Sequence, residues 1–344
     1  MTDTIVLDAA ERLFADQATG ALVNAAETGT RPRELWRLVE EAGFADALGE
    51  ASGIVGIVDA VAILRAAGRH AAPLPLAETM LARFALAAVP LPAPAGPLAL
   101  APVERDDVLT LRRAAQGWHL AGVARHVPWA REAAHMVVVA DGKVALVARG
   151  QTDIHRAANL AGEPRDTVTF DQRLAADAAA PLPKTLDADL LYRLGALCRA
   201  AQITGALEAA LALTVQYASD RVQFGRPIGK FQAIQQLLAQ FAEQVAAATV
   251  AATASAETIA AGGYAFFAAA IAKIRAGEAV GKGSEIAHQV HGAIGFTHEH
   301  RLHHLTRRLW SWRDEFGVES AWSIALGRQV ATEGAEAFWP SLTA

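Results

Sequence analysis

"SDRVQFGRPIGKFQAIQQLLAQF", residues 219 to 241, decides how the rest of the chain is read. Gly225, Pro227 and Gly229 fall too close together for one continuous helix, whereas Phe231, Ile234, Leu237, Leu238 and Phe241 recur at helical spacing. A short loop therefore leads into an amphipathic helix, and the five apolar residues are expected to be buried. Arg221, Gln223, Gln232, Gln235 and Gln236 cluster around the loop and the first helical turns. They read either as solvated surface or as a ligand site. A guanidinium is a forked donor and a helix N-terminus favours anions, so the second alternative would hold a pyrophosphate.

Beyond this stretch, 344 residues with 53% hydrophobic, 6% aromatic and 19% charged side chains suit a tightly packed, mainly helical protein. A formal net charge of -5 gives no general attraction to nucleic acid or to an anionic membrane, and neither is expected as a partner. The single cysteine, Cys198, excludes an intramolecular disulfide framework. The opening "MTDTIVLDAAERLFADQ" lacks the pattern of a signal or transit peptide, so a cytoplasmic location is expected. The nearly uncharged run "VAAATVAATASAETIAAGGYAFFAAAIA" reads as a buried helix pair broken at Gly262-Gly263, since Glu257 interrupts it and Lys273 and Arg275 follow.

Three zones follow from the pattern. Residues 1–97 carry helical periodicity in "DAAERLFADQA", "RELWRLVEEAGFADAL" and "GIVDAVAILRAAGRH", then the Pro-rich "VPLPAPAGP" ends helix formation. Residues 98–184 contain β-like runs, "GWHLAGVA", "AHMVVVA", "KVALVA" and "DTVTFDQ", with Asp141-Gly142 as a hairpin signal. Residues 185–344 return to long helical patterns. The expected fold is mainly α with a small β domain: an N-terminal helical domain, a reduced middle β domain and a C-terminal four-helix bundle.

A second polar cluster stands in "AHQVHGAIGFTHEHRLHHLTRRLWSWRDEFGVES". Gln289 precedes Gly292 and Gly295, and Arg301, Arg307, Arg308 and Arg313 follow. His298, His300, His303 and His304 invite a metal reading, but no HExxH or paired-cysteine pattern accompanies them, and no metal is predicted. G-x-S-x-G, Walker and Rossmann signatures are absent from the sequence.

The stretches "YASDRVQFGRPIGKFQAIQQLLAQ" and "QVHGAIGFTHEHRLHHLTRR", in this order and at this separation, closely resemble the C-terminal half of acyl-CoA dehydrogenases. The resemblance is strongest from about Leu190 to Ala344 and weaker before it. It implies FAD as cofactor, an acyl-CoA as substrate and α,β-dehydrogenation as reaction. It also implies that Arg221, Gln223, Phe224 and Gln232 meet the FAD of a neighbouring subunit, as do Gln289, Gly292 and Ala293. At Ala293 the family usually has a second glycine.

The same resemblance exposes what is missing. Proton abstraction beside a thioester needs a positioned carboxylate. One position where the family carries this base falls on Phe316, before Gly317; the other falls on Gly195, next to Ala196. The family's flavin-ring segments are replaced by "LAPVERDDV" and "GVARHVPWA", with His126 and Pro128 where tryptophan and a hydroxyl residue are usual. The catalytic base is thus left unknown, with Glu315, Asp314 and Glu319 as displaced alternatives. The pattern resembles the short subunit of two-chain acyl-CoA dehydrogenases of steroid degradation, in which a longer homologous partner supplies the base. A self-sufficient homo-oligomer and a non-catalytic assembly subunit are the competing readings.

Overall fold

The computed structural model describes residues 4–49, 56–263, 265–334, 336 and 340. The chain divides into two compact units, residues 1–64 with 72–195, and residues 65–71 with 196–344.

The first unit opens with helices α1 (Thr4–Gln17), α2 (Gly20–Glu27), α3 (Arg33–Glu41), α4 (Ile57–Arg69) and α5 (Leu76–Ala87), of which only the last turn of α4 belongs to the second unit. The helix expected over 33–48 stops early. Gly43 adopts φ 72°, in the left-handed region, and a separate 3-10 turn follows at Phe44–Asp46. Helix α5 was not distinguished by periodicity because almost every residue of it is buried, Glu78 and Thr79 included. Thr79 explains its own burial: its hydroxyl accepts from the Leu98 amide at 3.0 Å, joining α5 to the first strand.

Eight strands follow, β1 (Leu98–Ala101), β2 (Leu109–Arg113), β3 (Trp118–Pro128), β4 (His135–Ala140), β5 (Lys143–Ala148), β6 (Asp153–His155), β7 (Arg165–Leu174) and β8 (Ala179–Pro181). They form two sheets, ordered β1-β4-β5-β8 and β2-β3-β7-β6. All pairs are antiparallel except β1 with β4. Alternate residues from the two sheets, among them Leu111, Leu120, Met136, Val138 and Phe170, share one apolar core. The β4–β5 hairpin turns at Asp141 and Gly142, both at positive φ, as the dipeptide predicts. Strand β3 is longer than its sequence pattern suggests and carries a bulge between Ala124 and Val127.

The second unit is a helical bundle of α6 (Ala188–Asp220, in this unit from Ala196), α7 (Gln232–Ala260), α8 (Ala265–His291), α9 (Leu302–Asp314) and α10 (Glu319–Glu333). A two-strand hairpin, β9 (Val222–Gln223) with β10 (Arg226–Pro227), interrupts it after α6. Helices α7 and α8 break at Gly262-Gly263, as the sequence requires, with Gly262 at φ 80°. Tight crossings rest on small residues. A Cβ on Gly205 of α6 would lie 1.8 Å from the Arg65 carbonyl oxygen, and one on Gly283 of α8 would lie 2.5 Å from the Phe241 ring. Glu208 ties this crossing by accepting from Arg65 at 2.6 Å and from Thr249 at 3.1 Å. Helix α6 is long and apolar enough to cross a membrane, but 72% of its most apolar window is buried within the protein.

Candidate functional site

The hairpin is built by two successive left-handed residues. Phe224 (φ 51°) and Gly225 (φ 76°) occupy the turn positions where both φ values must be positive. Glycine takes this conformation freely and phenylalanine does not, so the fold holds Phe224 there against its preference. The consequence is exposure: Phe224 is 93% exposed, and Arg221, Val222, Gln223, Gly225 and Arg226 are exposed beside it. The Ile228 amide donates to the Arg221 carbonyl at 2.8 Å, and Gln235 Nε2 donates to the Gly229 carbonyl at 3.0 Å. Arg226 lies over the Phe231 ring at 4.2 Å, with Phe224 edge-on to the same ring at 6.3 Å.

Backbone and neighbouring rings thus fix the loop, while its functional groups point elsewhere. Among the described residues the Arg221 guanidinium and the Gln232 amide have no hydrogen-bond or ion-pair partner; Gln223 donates only to the Val222 carbonyl, at 2.8 Å. Gln232 opens α7, whose Ile234 and Gln235 amides donate to the Phe231 carbonyl at 3.0 and 3.1 Å. The burial expected for the helix stripe is incomplete. Phe241 is fully buried, but Phe231, Ile234, Leu237 and Leu238 are only half-buried, so the first turns of α7 lack cover from their own chain.

The second cluster is a 3-10 turn, Gly292–Phe296, at the end of α8. Gly292 has φ 63°, and a Cβ there would meet nothing within 4 Å; conformation, not space, calls for glycine. Ala293 is not at positive φ, so its methyl group is tolerated. Gln289, Gly292 and Ala293 are exposed, with Ile294 and Phe296 beside them.

A stack that sequence reasoning missed joins the two clusters. Tyr217, one helical turn before Arg221, lies on the His291 ring at 4.6 Å, and His300 meets His291 edge-on at 4.7 Å. The His291 ring N–H at Nδ1 donates to the Ala287 carbonyl at 2.8 Å. Burial pushes its pKa below the ordinary value, against the pull of that bond, and burial does the same to His300. His288 stacks on Phe296 and Trp310, its pKa also lowered by burial first and by His291 second. These imidazoles are neutral packing elements that hold the turn. Only the i to i+4 spacing of Tyr217 and Arg221 hinted at the link.

The two positions to which the resemblance assigns a base are closed. Phe316 is 5% exposed at φ 53°, with Gly317 at φ 87°, and its carbonyl accepts from Trp322 Nε1 at 2.9 Å. Gly195 is buried within α6. Of the displaced alternatives, Glu315 is ion-paired to buried Arg199 at 2.6 Å, with the Arg199 guanidinium 5.9 Å from the Phe316 ring. Glu319 is held by Arg313, which keeps its pKa below the usual carboxylate range. Asp314 is exposed and has no ion pair among the described residues; burial of its surroundings pushes its pKa up, while Arg313 and Lys273 oppose. Behind this corner, Lys273 is fully buried and donates to the Arg313 carbonyl at 2.5 Å, capping α9. Burial lowers its pKa to about 7, with the nearby carboxylates opposing.

In the first unit, the bulge in β3 throws Arg125 and His126 outward, His126 at φ 52°. His126 pairs with Glu104 at 2.9 Å and Arg125 with Asp107 at 2.7 Å. The segment after β1 is thereby sewn to β3 by ion pairs of its own chain.

The acyl-CoA dehydrogenase IpdE2 of Mycobacterium tuberculosis is 33% identical over 307 residues, covering 85% of this chain and 85% of that protein. This chain belongs to the acyl-CoA dehydrogenase family. Residues 193–313 match the family's C-terminal domain. Among solved structures, a variant of the Tcur3481-Tcur3483 steroid ACAD superposes with TM-score 0.84 at 27% identity, covering 96% of this chain and 98% of that one. The ChsE4-ChsE5 complex of Mycobacterium tuberculosis gives the same TM-score at 24% identity, with 95% and 96% covered, and so shows the shared fold. The acyl-CoA dehydrogenase architecture agrees with the helices, β segment and helical bundle expected from the sequence.

Proposed function

We propose that this chain is the base-lacking subunit of a two-chain, FAD-dependent acyl-CoA dehydrogenase and completes the flavin site of a longer homologous partner. One observation carries the reading: the family's distant FAD contacts are present, exposed and unpartnered, whereas the base position is a buried phenylalanine. Arg221, Gln232 and Gln289 offer free donors, and a Cβ on Gly292 would meet nothing within 4 Å, which fits the phosphates and amide-bonding edges of an FAD. Gln223, Phe224 and Ala293 complete the same surface.

FAD, when bound, accepts a hydride from the acyl-CoA; the residues of this chain bind and orient and move no proton. The half-buried stripe at the start of α7 supports a partner over this surface. The Tcur3481-Tcur3483 relative is a steroid enzyme named for two chains, which supports a bulky acyl-CoA of that class and a hetero-oligomer. The cytoplasmic location expected from the sequence belongs to the same proposal. Co-expression with the nearest longer homologue should give a complex with flavin absorbance that an acyl-CoA bleaches, while the chain alone stays colourless.

A self-sufficient enzyme is the second reading. Asp314 is the acid that favours it, because Glu315 and Glu319 are engaged by arginines. Flavin in the lone chain, bleached by substrate in the wild type and not in Asp314→Asn, would establish that reading instead.

A further inference from the structure

A cavity of about 760 Å³ lies wholly within the first unit, between the α2–α3 loop, the segment before α5 and the turns that follow β3 and β6. Its volume suits a small organic ligand. Its charged lining is unbalanced, with Arg31, Arg33, Arg131 and Arg156 against Glu27 and Glu132. Arg31 is committed to Glu132, and Arg131 to Asp166 and to the Ala157 carbonyl. Arg33 and Arg156 are exposed, line the cavity and have no ion-pair partner among the described residues.

Two tryptophans line the same space. Trp36, on the first turn of α3, is 7% exposed, and its Nε1 has no hydrogen-bond partner among the described residues. A buried N–H is seldom left unpaired in a native protein, so an acceptor belongs there. Trp129 is 8% exposed and stands at φ 59°, a conformation that a bulky side chain avoids. Its amide donates to the Pro164 carbonyl at 3.1 Å, and its own carbonyl accepts from Ala133 at 3.0 Å, which holds the strained turn in place. Backbone strain of this kind collects at ligand sites. Apolar walls come from Pro32, Pro73, Pro75, Pro97 and Pro164.

We infer that this cavity binds a small anion carried on a planar ring. Arg33 and Arg156 hold the phosphate or carboxylate as forked donors, Trp36 Nε1 donates to an oxygen or nitrogen acceptor, and the indole and proline faces enclose the ring. The site is separate from the flavin surface proposed above and stands or falls independently of it.

The test is calorimetric titration of the full chain with two probes, adenosine monophosphate and naphthalene-1-carboxylate, each against wild type, Arg33→Ala/Arg156→Ala, Trp36→Phe and Arg221→Ala. At least one probe should bind the wild type and Arg221→Ala equally. Its affinity should fall about tenfold or more in the double arginine variant and several-fold in Trp36→Phe, which keeps the ring and loses the N–H. The probe that binds tells phosphate from carboxylate. Retained folding is checked by unchanged melting of the arginine variant, whose altered side chains are exposed. No binding of either probe, binding that survives the double variant, or inorganic phosphate binding as tightly as the better probe would overturn the inference.

Discussion

Two corners of the same helical unit treat polar side chains in opposite ways. At residues 221–232 and 289–296, a guanidinium and two amides stand exposed with no partner of their own, on backbones pinned by carbonyls and stacked rings. At residues 314–319, where the resemblance places the family's base, Glu315 and Glu319 are tied to Arg199 and Arg313, and Phe316 is buried. Exposed, unspent donors cost little to keep and are useful only to a ligand or partner. Buried, mutually satisfied charges are costly to disturb and serve the fold. The first corner is therefore left open, as the proposed flavin site requires, and the second is closed.

The strongest break of this contrast should come at the closed corner. Phe316→Ala removes a buried ring and should cost about 3 kcal/mol or more in denaturant unfolding, measured where the transition is two-state. Arg199→Ala leaves Glu315 without its buried partner and should cost about 3 kcal/mol, the low end for such pairs because Glu315 is 16% exposed. Losses below about 1 kcal/mol in both would mean that this corner is not the closed structural element described.

Lys273 sharpens the contrast through pH. Its folded pKa, about 7, lies below the ordinary 10.5, so the folded chain binds less proton than the unfolded chain between those values. Its contribution is thus fully present above the unfolded pKa and is lost as pH falls through about 7. Relative to Lys273→Met, the wild type should gain stability as pH rises from 7 towards 10, on the order of a few kcal/mol. A difference that stays constant with pH would mean that the lysine titrates normally.

At the open corner the same experiment should show almost nothing. Arg221→Ala should change stability by no more than about 0.5 kcal/mol. Its effect belongs to cofactor retention in the assembled complex, which should weaken roughly tenfold to a hundredfold if a charge-assisted bond to phosphate is lost. Equal flavin content in wild type and variant complexes would remove Arg221 from the site.

Local signals made much of this legible. Asp141-Gly142, Gly262-Gly263 and the Phe224-Gly225 turn could be read because each carries a glycine at a left-handed position. Arg221, Gln232 and Gln289 are named as flavin contacts by the family resemblance rather than by these turns, and that role belongs to the proposal. What escaped was carried by distant pairs: the Tyr217–His291 stack and the Arg199–Glu315 bond join positions 74 and 116 residues apart. Helix α5 escaped because burial all round erases the stripe that periodicity needs. The partial exposure of Ile234 and Leu237 ran against the expected burial because an amphipathic pattern shows that a face is covered, not which chain covers it.

The central claim is that this chain holds one side of a flavin site and lacks the other. The visible absorption spectrum of the chain purified alone, and again after co-expression with its nearest longer homologue, tests it most directly. The account predicts a colourless lone chain and a yellow complex bleached by an acyl-CoA. A yellow lone chain that an acyl-CoA bleaches would contradict it.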